Sequence, residues 1–348
     1  MCYFLKRILP FFVCITGVML GIRAFSPYYY GNPIYLEKFG YLNDTKEEYD
    51  LVFMGSSRTL RQVNPKHVDE ELSADTQSFN LGAGGTFGLQ VLYAAEHLLL
   101  DRDVLPNLRL LVVELQLPQP IADANLHAAR SKYYIDSKRY NSAADFVHAY
   151  YSPAEASVYN QNYRSAWLER LMNIGLIRAQ LFSLFSPRNG GHFLGEQENG
   201  YVPLDDENGK RSYQERRRDF IENKDLYLKE FYSNRDRQLE GVDVGEAYLQ
   251  EHLDLINLGR RKGIHVVFVL LPGGFHLPQA GTMAIYNQIP SDCRIDVGSR
   301  GKWPILYDPA LYFDRGHLNE VGADLLSKFL AEELRTLFDR VHLADERN

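Results

Sequence analysis

Leu51-Val52-Phe53-Met54-Gly55-Ser56-Ser57-Arg58 decides the reading of this chain. Four apolar residues run straight into a glycine and two serines. A short, continuous apolar run bounded by glycine suits a strand buried on both faces, as in a parallel sheet. The serines then stand at the C-terminal end of that strand, where open α/β folds place their chemistry. Similar runs recur: Gln77–Leu81, Leu108–Leu115 and His265–Leu271 read as strands, with Asp50–Met54 as the first and Ile305–Tyr307 as a short fifth. Between them lie segments of helical spacing, Phe87–Leu100, Glu246–Arg261 and Asn319–Leu337, and Gly263 closes the second as a C-cap. Alternating strands and helices predict an α/β chain, built as a three-layer α/β/α sandwich around a parallel sheet.

One interval breaks that rhythm. From about residue 118 to 245 there is no strong strand; helical stretches near Ala154–Leu184 and Arg211–Tyr232 flank a Gly/Asn/Pro-rich loop, Ser186–Asn208. We read it as a helical insertion over the C-terminal edge of the sheet. The domain organisation expected is an N-terminal segment, 1–24, and one catalytic domain, 25–348, that carries the insertion.

The N-terminal segment has Lys6 and Arg7 ahead of an apolar run, Ile8 to Ile22, that Arg23 ends. Flanking aromatics extend it towards the ~20 residues of a membrane span, and basic residues before the run favour an extracytoplasmic remainder. The expectation is a single-pass signal anchor with the catalytic domain periplasmic or extracellular. A cleaved signal peptide and a buried helix are the alternatives.

Composition narrows the rest. The 348 residues are 45% hydrophobic with a net charge of −7, and no long Lys/Arg stripe argues for a nucleic-acid partner. The three cysteines, Cys2, Cys14 and Cys293, form no CxxC pair. The histidines show no HxxxH or HExxH spacing, so no metal is expected. Gly82-x-Gly84-Gly85-x-x-Gly88 follows the second strand rather than the first, and no acidic ribose partner is placed to accompany it, so no dinucleotide cofactor is expected.

Near the C-terminus stands Asp314-Arg315-Gly316-His317. A serine hydroxyl needs a neighbouring base to act as a nucleophile, and a carboxylate to hold that base in the correct tautomer. Ser57, His317 and Asp314 supply the three parts. Arg58 is a candidate for substrate binding, as is His276 beyond the fourth strand; Arg58 and Arg61 also suit a solvated helix face.

These motifs resemble the SGNH (GDSL-like) hydrolase superfamily, including its membrane-anchored acyltransferase branch. Gly55-Ser56-Ser57 resembles block I, which makes Ser57 the nucleophile and puts Ser56 in the place of an Asp. Asn80-Leu81-Gly82-Ala83-Gly84-Gly85 resembles block II, which implies oxyanion-hole N–H groups on Gly85 and Ser57. Asp314-x-x-His317 resembles block V. The resemblance covers about residues 50–118 and 246–338. Block III departs from it: after the third strand stands Glu114-Leu115-Gln116-Leu117-Pro118-Gln119, without the family's Asn, and Gln116 or Gln119 is left as the replacement. Such a donor is worth ~3 kcal/mol in the transition state. What the resemblance implies is acyl transfer through a Ser57 acyl-enzyme, with O-acetylation of a surface polysaccharide and a membrane-bound acyl-donor protein as partner. An extracytoplasmic carbohydrate esterase is the alternative, and a degenerate binding or assembly subunit of an envelope complex is the non-enzymatic one.

Overall fold

The computed structural model describes residues 2–26, 28–29, 31–45, 48–72, 76–101, 103–118, 123–177, 192–207, 209–233, 243–275 and 280–345. Five strands, β1 (Leu51–Met54), β2 (Ser78–Asn80), β3 (Leu110–Glu114), β4 (His265–Leu270) and β5 (Arg294–Asp296), form one sheet in the order β2-β1-β3-β4-β5. Every pairing is parallel, with Val52 opposite Phe79 and Leu111, and Val112 opposite Val267. This order is that of a doubly wound sheet whose strand sequence reverses beside β1. The expected α/β class with a parallel sheet therefore holds.

β1 and β3 are buried end to end, and β4 from Val266 onward, because both of their faces are covered. Val52, Met54, Leu111, Val113, Val266 and Phe268 join one apolar cluster. Leu51, Phe53, Leu110, Val112, Val267 and Val269 join a second. The first cluster takes Tyr35 and Phe39 from α2 (Pro33–Thr45), Leu92 and Leu99 from α5 (Gly88–Leu100), Phe146 from α6 (Ser137–Tyr150) and Ile256 from α9 (Glu246–Lys262). The second takes Val68 from α4 (Pro65–Leu72) and Leu326, Leu330 and Leu334 from α10 (Glu320–Asp345). Burying a side chain of this size contributes roughly 1.5–3 kcal/mol. The period of two along each strand thus divides the core into two layers. Gly263 ends α9 in the left-handed conformation, φ 71°, as its sequence position predicts.

The fifth strand is not where the sequence suggested. Ile305–Tyr307 lies in a 3-10 turn that Pro304 opens, and the sheet edge is Arg294–Asp296 instead. That edge strand has one apolar residue, Ile295, and pairs over only three positions, Phe268 to Leu270. A proline has no N–H for a ladder and its fixed φ suits the first position of a helical turn.

The insertion divides its helices between two places. α6 and α7 (Pro153–Leu171) join the α5/α9 layer through Phe146, Val147, Tyr163 and Ala166. The second expected helix, α8 (Arg211–Ser233), lies at the C-terminal end of the sheet: Phe220 stacks on Phe275 at 5.9 Å, and Arg217 Nη1 donates to the Phe313 carbonyl at 3.3 Å. Residues 193–202 run along the free edge of β2, with Asn80 N–H donating to the Asn199 carbonyl at 2.8 Å and Val202 N–H to that of Leu60 at 3.2 Å.

At the N-terminus, α1 (Cys2–Phe25) is a helix, and Leu9, Phe11, Phe12, Val13, Val18 and Leu20 on it are exposed. Among the described residues no helix is long and apolar enough to cross a membrane. The membrane-spanning helix expected at 1–24 is thus not supported: the uninterrupted apolar run, Ile8–Ile22, falls short of the ~20 residues of a span.

Candidate active site

β1 ends at Met54, and the chain turns at Gly55 into a short helix, α3 (Ser57–Gln62). Ser56 is its N-cap, with its hydroxyl accepting from Arg58 N–H at 3.1 Å. Ser57 is therefore the first helical residue, whose N–H has no acceptor within its own helix. What fixes this turn is Glu114, buried at the end of β3. Its carboxylate accepts from Ser56 N–H at 2.7 Å, from the Ser56 hydroxyl at 2.9 Å and from the Thr59 hydroxyl at 2.8 Å, and pairs with Arg58 Nε at 2.7 Å. A methyl group on Gly55 would fall inside van der Waals contact of Thr59 Oγ1 and this carboxylate, so glycine is required there.

The Asp-Arg-Gly-His stretch is a tight loop just before α10. Asp314 Oδ1 accepts from the N–H groups of Gly316, 2.8 Å, and His317, 2.9 Å. Phe275 N–H, just beyond β4, donates to the Arg315 carbonyl at 2.9 Å, and Gln62 Nε2 at the end of α3 reaches the Gly316 carbonyl at 3.3 Å. The loop is thus tied to both elements that flank it. These ties bring the three predicted residues together. Ser57 Oγ lies 2.9 Å from His317 Nε2, and His317 Nδ1 lies 2.9 Å from Asp314 Oδ1. With Nδ1–H donating to the carboxylate, Nε2 presents its lone pair to the Ser57 hydroxyl.

Asp314 is buried, and burial alone would push its pKa up. The hydrogen bond and charge of His317, the charge of Arg216 and the Gly316 N–H outweigh that and hold it at about 2. Arg216, from α8, pairs with Asp314 Oδ2 at 2.5 Å. The helix α8 therefore supplies a cation to the Asp314 carboxylate.

A cavity of about 470 Å³ opens in front of Ser57 and His317. Gly84 and Gly85, Asn32, Phe193 and Tyr213 are in its wall. Gly85 holds φ at +73°, a conformation that favours glycine, and lines the same cavity as Ser57. Asn80 holds the Gly82–Gly85 loop to α3: its Nδ2 donates to the carbonyls of Thr59 and Val63, both at 2.7 Å, and its Oδ1 accepts from Gly82 N–H at 2.8 Å. Beneath that loop, the fully buried Lys38 ammonium donates to the carbonyls of Asn80, 2.7 Å, Gly82, 2.9 Å, and Gly200, 2.7 Å. Burial pushes its pKa well below that of a free lysine, and the nearby charge of Arg61 pushes the same way.

The other candidates fall elsewhere. Arg58 turns back to Glu114 and is not in the cavity wall. Gln116 is buried after β3; its amide Nε2 has no partner among the described residues, and it too lies outside the wall. Asn32, from the lead-in to α2, is the buried amide that does line the cavity, and its Nδ2 is likewise unpartnered among the described residues. Gln119 and His276 lie outside the described residues. Glu114, Asn32 and Lys38 were not singled out from sequence, and Arg216, which the sequence reads with Arg217 and Arg218 as a solvated helix face, turns instead to Asp314. Glu114 carried a signal, a lone acid closing an otherwise apolar strand; the others act through contacts distant in the chain. Among the described residues no cluster of His, Cys, Asp and Glu is arranged to hold a metal ion. Compared with known proteins, the chain matches no family model and no curated sequence.

Proposed function

We propose that the protein is a serine acyltransferase of the SGNH type that acts on a carbohydrate through a Ser57 acyl-enzyme. The observation that carries this reading is the continuous chain from Ser57 Oγ to His317 Nε2, 2.9 Å, and from His317 Nδ1 to Asp314, 2.9 Å. His317 takes the Ser57 proton as Oγ attacks the carbonyl carbon of an ester donor. The tetrahedral intermediate collapses, the donor alcohol leaves, and His317 returns the proton to it. A sugar hydroxyl then gives its proton to His317, attacks the acyl-enzyme and leaves as the new ester, and Ser57 recovers its proton. Asp314 holds the imidazole in the required tautomer. The N–H groups of Ser57 and Gly85 stabilise the oxyanion.

A carbohydrate acceptor is favoured by the two rings in the cavity wall, Phe193 and Tyr213, because aromatic faces stack on the C–H faces of sugars. O-acetylation of a surface polysaccharide, with a membrane-bound protein as acyl donor, is the specific form we favour. The exposed apolar side chains of α1 support attachment to a membrane, and Lys6 and Arg7 ahead of the apolar run support attachment from its extracytoplasmic side. Water in place of the sugar would make the same site an esterase. A fluorophosphonate probe tests the common step: it is expected to label the wild type at Ser57 and to leave Ser57→Ala unlabelled. Absence of labelling in the wild type would sink the acyl-enzyme.

A further inference from the structure

The cavity in front of Ser57 carries a charge opposite to that of the whole molecule. The chain has a net charge of −7, yet Arg61, Arg130, Lys210 and Arg216 line this cavity, with Glu207 the one carboxylate lining it among the described residues. Glu207 is already engaged. It pairs with Arg61 at 3.0 Å and Lys210 at 3.3 Å; burial favours its neutral form, but these two cations outweigh burial and lower its pKa. Asp314 is likewise engaged by Arg216. Among the described residues, four cations against these two carboxylates leave the site positive, and a recessed site focuses that field.

Arg130 is the informative member. It stands over the glycine assigned to the oxyanion hole: a methyl group on Gly85 would lie 3.4 Å from Arg130 Nη1 and 3.5 Å from its Cζ. Its Nη2 donates to Asn125 Oδ1 at 2.9 Å, a neutral amide, and among the described residues no carboxylate pairs with it. Arg130 is an exposed residue that lines the cavity. A guanidinium fork presents paired donors that match the two oxygens of a carboxylate. Further along the wall, Arg61, Lys210 and Arg216 surround the Tyr213 ring at 5.6–6.0 Å from its centroid. Cations at two places beside an aromatic face suit a sugar chain that bears acidic groups, rather than a neutral one.

The geometry points to an acidic, carboxylate-bearing glycan as the acceptor, with Arg130 receiving the carboxylate of the sugar beside Ser57 and Lys210 adding charge further along. This rests on the acyl-transfer reading for the direction in which the sugar enters. The test is binding, measured by calorimetry at low salt on full-length Ser57→Ala, which holds ligand without turnover. The probes are an oligogalacturonate and the same oligomer with its carboxylates methyl-esterified. The acidic oligomer is expected to bind at least about tenfold tighter, as charge-assisted hydrogen bonds do. Arg130→Gln in the same background removes most of that difference, and Arg130→Lys keeps part of it. Arg211→Gln, which removes an exposed cation outside the cavity, leaves it intact. Equal affinity for the two oligomers, no binding of either, or an equal loss in the Arg130 and Arg211 variants overturns the inference. The two readings fail separately: labelled wild type without discrimination sinks the acidic acceptor alone, and discrimination without labelling sinks the acyl-enzyme alone.

Discussion

Ser56 and Ser57 are chemically identical neighbours with different tasks. The Ser57 hydroxyl faces His317, whereas the Ser56 hydroxyl faces the buried carboxylate of Glu114 and caps α3. Ser56→Ala is therefore expected to lower stability by about 1–2 kcal/mol while the fluorophosphonate probe still labels Ser57. Glu114→Ala costs more, about 3 kcal/mol, because it strands Arg58 and the Ser56 N–H. Chemical denaturation separates the two; an equal or negligible effect of both would show that Glu114 does not hold the turn. Asp314 makes a prediction about pH. Its folded pKa, about 2, lies below the 3.8 of a free aspartate. Its contribution to stability is thus complete above the free value and is lost as pH falls through about 2. The carboxylate is ionised throughout the range in which most enzymes work, so the acid limb of a pH–rate profile does not belong to it. Titrating its carboxyl carbon by NMR checks this; a midpoint near the free value would contradict the geometry.

At the scale of elements, α8 matters most, because Tyr213 and Arg216 ride on it into the site. Phe220 is the buried residue that fastens this helix to Phe275 and Tyr312. Phe220→Ala is expected to cost about 3 kcal/mol and to raise KM for the acceptor more than it lowers kcat. A change confined to kcat would place α8 in the chemistry rather than in binding. The central strands were legible because each is an unbroken apolar run, and a run of that kind has few other homes. β5 was not, since Ile295 is its sole apolar side chain and the sheet edge needs no more. Ser57, Asp314 and His317 were legible because each sits in a compact motif. Glu114 and Arg216 were not, because their role exists only once distant segments meet. Arg58 shows the converse: next to Ser57 in sequence, it spends its charge on Glu114 rather than on the cavity.

For the molecule as a whole, α1 presents an exposed apolar surface to solvent, with Leu9, Phe11, Phe12, Val13, Val18 and Leu20 exposed on it. Exposed apolar surface of this kind is covered in use. The full chain is expected to float with phospholipid vesicles in a density gradient, and a form lacking residues 2–25 to stay in the soluble fraction. Equal flotation of both would detach the membrane from α1. The Lys38 ammonium has a different reach. It gathers one carbonyl from the end of β2, one from the loop that carries Gly85, and one from Gly200 in the insertion. A helix from before the sheet is thereby welded to a segment that enters more than a hundred residues later. The insertion is in that sense no accessory graft: trimming the chain to its sheet would leave the buried Lys38 nitrogen short of an acceptor, and the loop beside Ser57 would lose its floor.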